Sequence, residues 1–282
     1  MRRRHLLAAS LLAAAAGGAR AAVPRRVVSL GGVVTEIVHA LGADDRLVGV
    51  DQSSLYPPAA RELPQVGYFR GFAVEGVLSL RPDLVLASDQ AGPPEALAQL
   101  RAVGLPVVSI PSAPNVPALE QGIDAVATAL ALDAEGLSRA RSLRQQLDDA
   151  ARPVAHAGQP PRVLILSSHT GRLQAAGAGS APHALLTLAG GVNAFTQPGY
   201  KAVSAEAVAA ARPDVILTST LSIEAAGDVR AFAAQPGIAL TPAGRDGRII
   251  VLDDLLLLLG FGPRLPQALA QVRAGLFGAA SH

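Results

Sequence analysis

The stretch "AVEGVLSLRPDLVLAS", residues 73–88, returns as "SAEAVAAARPDVILTS" at 204–219. Glu75/Glu206, Val77/Val208, Arg81/Arg212, Pro82/Pro213, Asp83/Asp214, Leu86/Leu217 and Ser88/Ser219 are identical between the copies. Each copy reads as a short amphipathic helix, a Pro that ends it, and an apolar run of strand length. Both follow a Gly-Tyr pair, Gly67-Tyr68 and Gly199-Tyr200. A repeated helix-then-strand unit predicts two lobes of like architecture.

Working outward, "RRVVSL" (25–30) and "PRVLILS" (161–167) open the two halves, each followed by a loop and a helix. The first half reads as strand 26–30, helix 34–41, strand 46–50, helix 73–80, strand 84–87, helix 94–103 and strand 106–110. The second half reads as strand 162–167, helices 182–189 and 204–211, strand 214–218, a short helix near 228–233, strand 248–252 and helix 265–277. Strands alternating with helices predict an α/β fold: two Rossmann-like lobes with mostly parallel sheets covered on both faces. Between them, residues 132–158 place Leu137, Ala140, Leu143 and Leu147 at helical spacing among Arg, Gln and Asp, with no Pro before Pro153. This predicts one amphipathic connecting helix, and a helix between lobes limits closure.

The N-terminus, "MRRRHLLAASLLAAAAGGARA", combines a basic start, a short apolar run and the pattern Ala19-Arg20-Ala21, which reads as a secretory signal peptide over 1–21. Arg3-Arg4 before Leu6-Leu7 is compatible with Sec or twin-arginine export. Cleavage removes four arginines and no acid, taking the formal charge from +2 to about −2, so the basic whole-chain balance does not argue for nucleic acid. There is no Cys, which excludes disulfides, thiolate metal sites, a Cys nucleophile and a lipid anchor on Cys. The expectation is a free monomer in the periplasm of a Gram-negative cell, divided into an N-terminal lobe over 22–131, the connector over 132–158 and a C-terminal lobe over 159–282.

In open parallel sheets, ligands lie beyond the carboxyl ends of the strands, so two facing lobes predict a cleft lined by those loops. The chain has 3 Tyr, 6 Phe and no Trp, yet Tyr56, Tyr68, Phe69, Phe72, Tyr200 and Phe261 all fall in predicted loops. Either they seal the lobe edges or they face a flat apolar ligand.

The runs "VVSLGGVVTEIVHALGADDRLVGVDQSSLYP" (27–57), "LPQVGYFRGFAVEGVLSLRPDLVLAS" (63–88), "GYKAVSAEAVAAARPDVIL" (199–217) and "DDLLLLLGFGPRLPQAL" (253–269) resemble the periplasmic haem-binding proteins of bacterial haem ABC importers. The likeness covers essentially the whole mature chain. Its Thr-Glu helix and "RPDLVL" are shared with siderophore and cobalamin binders, whereas the Tyr loop and "GFGPR" point to haem. The resemblance implies ferric haem (haem b) as the transported ligand, with Tyr68 of the "GY.R" loop as axial iron ligand. The chemistry agrees, since a phenolate is a hard anionic oxygen suited to Fe(III). Phe69 and Phe72 would wall the macrocycle with Tyr200 and Phe261. His169, in "LSSHTG" after the first strand of the second lobe, is the candidate for the sixth position, although the family tends to read His-Gly-Gly there. A lone loop His is ordinarily solvated, and His39 on the first helix, His156 near the end of the connector and His183 at a helix start are expected to be structural or surface residues. Arg70, Lys201 and Arg264, and more weakly Arg172, would meet the two propionates or tune the phenolate.

Glu75 and Glu206 are favourable in a first helical turn for structural reasons alone. The resemblance also implies that they dock the permease of an ABC importer with its ATPase. Competing readings are a siderophore or cobalamin binder of the same superfamily, a zinc or manganese binder lacking the necessary His and carboxylate cluster, and an enzyme. Against an enzyme, the chain carries no G-x-G-x-x-G, P-loop or G-x-S-x-G.

Overall fold

The repeat works by anchoring its strand to the first strand of its own lobe. In a computed structural model that describes residues 23–153, 158–168, 172–254, 257 and 261–278, the Arg before each Pro turns left-handed, with φ of 47° at Arg81 and 43° at Arg212. That turn ends the helix and aims the next Asp at the neighbouring strand. Asp83 accepts the Arg25 and Arg26 amides at 2.9 and 3.0 Å, and Asp214 accepts the Arg162 amide at 2.9 Å. Arg26 and Arg162 in turn donate to the last carbonyls of the two repeat helices, Leu80 at 2.6 Å and Ala211 at 3.3 Å, where a cation suits the helix terminus.

Lobe one runs β1 (Val27–Leu30), α1 (Gly32–Ala40), β2 (Leu47–Val50), a hairpin of β3 (Gly67–Tyr68) and β4 (Gly71–Phe72), α2 (Val74–Ser79), β5 (Leu84–Ser88), α3 (Pro94–Ala102), β6 (Val107–Ile110) and α4 (Val116–Ala129). Its main sheet is parallel, in the order β2-β1-β5-β6. Helix α5 (Ala134–Ala151) connects to lobe two. There the chain forms β7 (Arg162–Ser167), β8 (Gln174–Ala176), α6 (Ala181–Ala189), β9 (Val192–Asn193), β10 (Tyr200–Ala202), α7 (Ala205–Ala211), β11 (Val215–Ser219), α8 (Thr220–Ala226), α9 (Val229–Ala233), α10 (Pro242–Arg245), β12 (Ile249–Leu252) and α11 (Leu265–Phe277). The second sheet keeps a parallel centre, β7-β11-β12, and adds β8 and β10 antiparallel at one edge.

The α/β fold of two Rossmann-like lobes, mostly parallel sheets and one long joining helix is therefore as the repeat predicts, with three differences. Helix α4 was not expected, although Asn115 caps it by accepting the Ala118 amide at 2.8 Å, and Leu119, Ile123 and Val126 give it a buried face. The antiparallel edge of lobe two has no counterpart in lobe one. On α5 the buried positions are Gly136, Ala140 and Leu147, while Leu137 is 42% exposed. The apolar stripe is rotated because Gly136 lets Leu132 close onto the helix, its side chain lying 2.9 Å from where a Cβ would stand.

Alternate residues of the strands serve different cores. Val27 of β1, Leu86 of β5, Val163 and Ile165 of β7 and Leu217 of β11 share a single apolar cluster with residues of α1, α4, α5, α6 and α11. Their neighbours Val28 and Val85 pack in a separate cluster on the outer face of lobe one, and Leu164, Leu166 and Ile216 in one on lobe two. One core thus runs through both lobes. The strut is also tied by Arg273 of α11, whose guanidinium donates to the carbonyls of Ala150, Arg152 and Leu188 at 2.7, 3.1 and 2.9 Å.

Candidate functional site

The β3–β4 hairpin sits over the carboxyl ends of lobe one's strands because its backbone is bonded to the loops that leave them. The Gln52 amide, after β2, donates to the Gly67 carbonyl at 2.8 Å, and the Gly92 amide, after β5, donates to the Phe69 carbonyl at 2.9 Å. Gly67 has φ of +103°, and a Cβ there would stand 3.2 Å from the Phe72 Cα, so this position requires Gly. Gly71 differs: a Cβ added to it meets nothing within 4 Å. Phe69 and Arg70 form the turn between the paired residues Tyr68 and Gly71.

Strand alternation then divides the aromatics. Tyr68 is 42% exposed, whereas Phe69 and Phe72 are 8% and 5% exposed and belong to the outer core of lobe one. Phe69 meets the Tyr68 ring edge-on, with centroids 4.7 Å apart, and Arg70 lies over Phe69 at 4.9 Å while donating to Gln90. Phe69 therefore supports the tyrosine ring, Phe72 packs in the outer core, and neither forms an open wall. Phe261 is likewise buried, in the shared core. The phenols face out and the phenyls face in, since only a phenol has a polar tip to keep wet.

Sequence reasoning missed Asp51. It follows β2 and is fully buried, and five donors converge on it. Oδ1 accepts from the Gly31 amide and the Ser54 hydroxyl, both at 2.8 Å. Oδ2 accepts from the Ser53 amide at 2.9 Å, the Ser53 hydroxyl at 2.7 Å and the Phe69 amide at 3.2 Å. The signal was available, as an Asp followed by Gln-Ser-Ser at a strand end is turn chemistry in which the side chain bonds the backbone two residues on.

The second missed residue is Glu36. Expected at the cleft to meet propionates, Arg264 instead forks onto Glu36 of α1, Nε to Oε2 at 3.1 Å and Nη2 to Oε1 at 2.8 Å. The pair crosses between the lobes, and its side chains are 10% and 13% exposed. The guanidinium also stacks on Tyr56, 3.7 Å from the ring centroid, and lies 3.8 Å from Asp253. Burial pushes the Glu36 carboxyl above the usual carboxylate range although Arg264 pulls it down. Burial weighs against the charge of Arg264, but the hydrogen bonds and charge of Glu36, with Asp253, more than offset it and leave a firmer cation.

On lobe two, Tyr200 and Lys201 lie exposed on the outer strand β10, and burial raises the Tyr200 phenol above its ordinary value. Next to them is a hollow of about 470 Å³ lined by Ser168, Arg172, Ala202, Val203, Ser222 and Gln235 among others. Arg172 lines it together with Ala202, the residue after Lys201. His169 and His156, like the leader over 1–21, lie outside the described residues. His183 faces Asn193 at 3.1 Å, and His39 lies 4.0 Å from Asp44 with its ring made less basic by burial, so both are structural as expected. Glu75 and Glu206 are exposed in the first turns of α2 and α7, and the hydrogen bond with Ser204 holds the Glu206 carboxyl low. Among the described residues no group of His, Cys, Asp and Glu is arranged to hold a metal ion by itself.

Residues 27–256 match the family described as periplasmic binding protein, and the chain belongs to it. It is similar to the periplasmic heme-binding protein BhuT, solved in complex with two hemes, with 42% identity, coverage of 89% of this chain and 97% of that one, and a TM-score of 0.81. The periplasmic heme-binding protein RhuT of Roseiflexus sp. RS-1 is 41% identical over 90% of this chain and 98% of its own, with a TM-score of 0.77. The vitamin B12-binding protein of Vibrio cholerae serotype O1 is 34% identical over 212 residues, 74% of this chain and 76% of that protein.

Proposed function

We propose that this protein captures ferric haem in the periplasm and delivers it to the permease and ATPase of an inner-membrane ABC importer. The observation that carries the reading is Tyr68, a phenol held outward at a fixed turn above the carboxyl ends of lobe one's strands. A phenolate supplies a hard anionic oxygen for Fe(III), and the metal replaces its proton. Tyr56 and Tyr200, 39% and 41% exposed, offer rings to a flat apolar ligand. Arg70, Lys201 and Arg172 are exposed cations for the propionates, and His169 is the candidate for the face of the iron opposite Tyr68. Arg264 acts on the site through Glu36 and Tyr56. The two heme-binding relatives exceed the B12-binding one in identity, which favours haem over cobalamin. Exposed glutamates at matching places on the two lobes suit a partner that reads both with arginines, since rim charges steer and register a partner. The role is binding, in keeping with the family, and not turnover.

The test is a ferric haem titration of the mature protein followed by absorbance, beside Tyr68→Phe and beside cobalamin. The expected result is a stoichiometric Soret shift with a phenolate-to-iron band, the band lost in Tyr68→Phe, and no saturable response to cobalamin. No saturable change with haem refutes the reading, and saturation by cobalamin alone replaces it with the B12 reading.

A further inference from the structure

We propose that Asp51 is the positioning residue that presets Tyr68 as a ligand, acting through the Phe69 amide; the inference rests on the proposed haem-binding role of Tyr68. Asp51 is buried, and its five hydrogen-bond partners include no Lys, Arg or His. A carboxylate has about four lone-pair sites, so both oxygens are fully engaged by neutral donors. These donors come from the loop after β1 (Gly31), the loop after β2 (Ser53 and Ser54) and the hairpin turn (Phe69). Stapling the first two loops together would be a sufficient structural task without the third.

The third bond is what points to function. Phe69 directly follows Tyr68 and lies in the turn, outside the Gly67–Phe72 and Tyr68–Gly71 pairings, so Asp51 supplies the partner that the strand ladder does not. Its carbonyl is held from the other side by Gly92, and its ring is anchored in the core. With residue 69 fixed at amide, carbonyl and side chain, the backbone leaving Tyr68 has one direction. The phenol is then presented without loop ordering on binding, and preorganisation of this kind appears as affinity. An Asp is required because an Asn of the same shape turns one acceptor into a donor facing other donors, and bonds to an ionised acceptor are about twice as strong as neutral ones.

The experiment is a double-mutant cycle on haem affinity with Asp51→Asn and Tyr68→Phe, read together with the phenolate-to-iron band. If Asp51 acts through Tyr68, Asp51→Asn weakens binding by about ten- to a hundredfold in the wild-type background, the scale of one charge-assisted hydrogen bond. It also shifts or broadens the band, and it costs less than about twofold once Tyr68 is Phe, because coupling vanishes when the partner is gone. Equal losses in both backgrounds, or no loss in either, overturn the proposal. Should Asp51→Asn fail to fold, Ser53→Ala takes its place, withdrawing one donor from the oxygen that Phe69 reaches. A smaller loss confined to the Tyr68 background supports the proposal, and a loss in both backgrounds or in neither overturns it. Failure of wild type to bind haem refutes the function itself and is read first.

Discussion

Arg264→Ala is expected to destabilise the protein by about 3–5 kcal/mol at pH 8, the scale for removing one partner of a buried ion pair. The premise is geometric: the fork onto Glu36 has both bonds within 3.1 Å, and the two side chains are 10% and 13% exposed. Loss of the cation stacked on Tyr56 adds roughly 0.5–2 kcal/mol. The pH dependence has a definite sign. Burial raises the Glu36 carboxyl above its ordinary 4.5, so the folded protein keeps this proton at pH values where the unfolded chain has released it. Stability from this group therefore falls as pH rises from 4.5 through the folded value. Without Arg264 to pull it down, that value climbs further and the window widens, so the variant's deficit is smaller at pH 5 than at pH 8. Arg264→Lys, which keeps the charge but not the planar fork, should fall between wild type and Ala. Glu36→Leu combined with Arg264→Leu should recover most of the loss, since apolar replacement of a whole buried pair is often neutral. Urea unfolding midpoints at pH 5 and pH 8 measure all four. A deficit for Arg264→Ala under 0.5 kcal/mol at pH 8, or one that grows toward pH 5, would refute the reasoning.

Two further outcomes are expected. Gly67→Ala forces a side chain into φ of +103° within 3.2 Å of the Phe72 backbone and should cost about 1–3 kcal/mol and weaken haem binding, whereas Gly71→Ala, with open space around it, should stay within about 0.5 kcal/mol of wild type in urea unfolding; equal costs at the two glycines would contradict the hairpin geometry. Glu75→Ala with Glu206→Ala should leave haem affinity within about twofold and abolish stimulation of the partner ATPase in reconstituted vesicles; unchanged transport by the double variant would remove the docking role.

The fold was legible because its determinants are local. A Pro after a short helix, an Asp two residues beyond the left-handed Arg, and strand-length apolar runs are each visible within 16 residues, and their return at 204–219 doubles the information. The "GYFRGF" loop was legible for the same reason, and its Tyr68 is 42% exposed. What escaped depends on distance along the chain. Glu36 and Arg264 are separated by 228 positions and Asp51 and Phe69 by 18, and no pattern within either segment announces the other. The inward side of Phe72 is set by alternation in a two-residue strand, too short to reveal itself as a sequence period, and that of Phe69 by the turn between the strands.

These long-range contacts also bear on how a ligand would be held. A hinge works where a few loop residues absorb the dihedral change, but here the lobes share helix α5, one apolar core that includes both sheets, and the buried Glu36–Arg264 pair. Each would have to break for the lobes to swing far apart. The spacing of the lobes is consequently fixed by the fold itself, and on the proposed function little of the binding free energy would be diverted into closing them. On the proposed function, discrimination then falls to exposed groups such as Tyr68, and foremost to how firmly its turn is fixed. On the proposed haem-binding role, the buried carboxylate of Asp51 and the cross-lobe Glu36–Arg264 pair would serve one end at two scales, the first fixing the turn that follows Tyr68 and the second fixing the two lobes relative to each other.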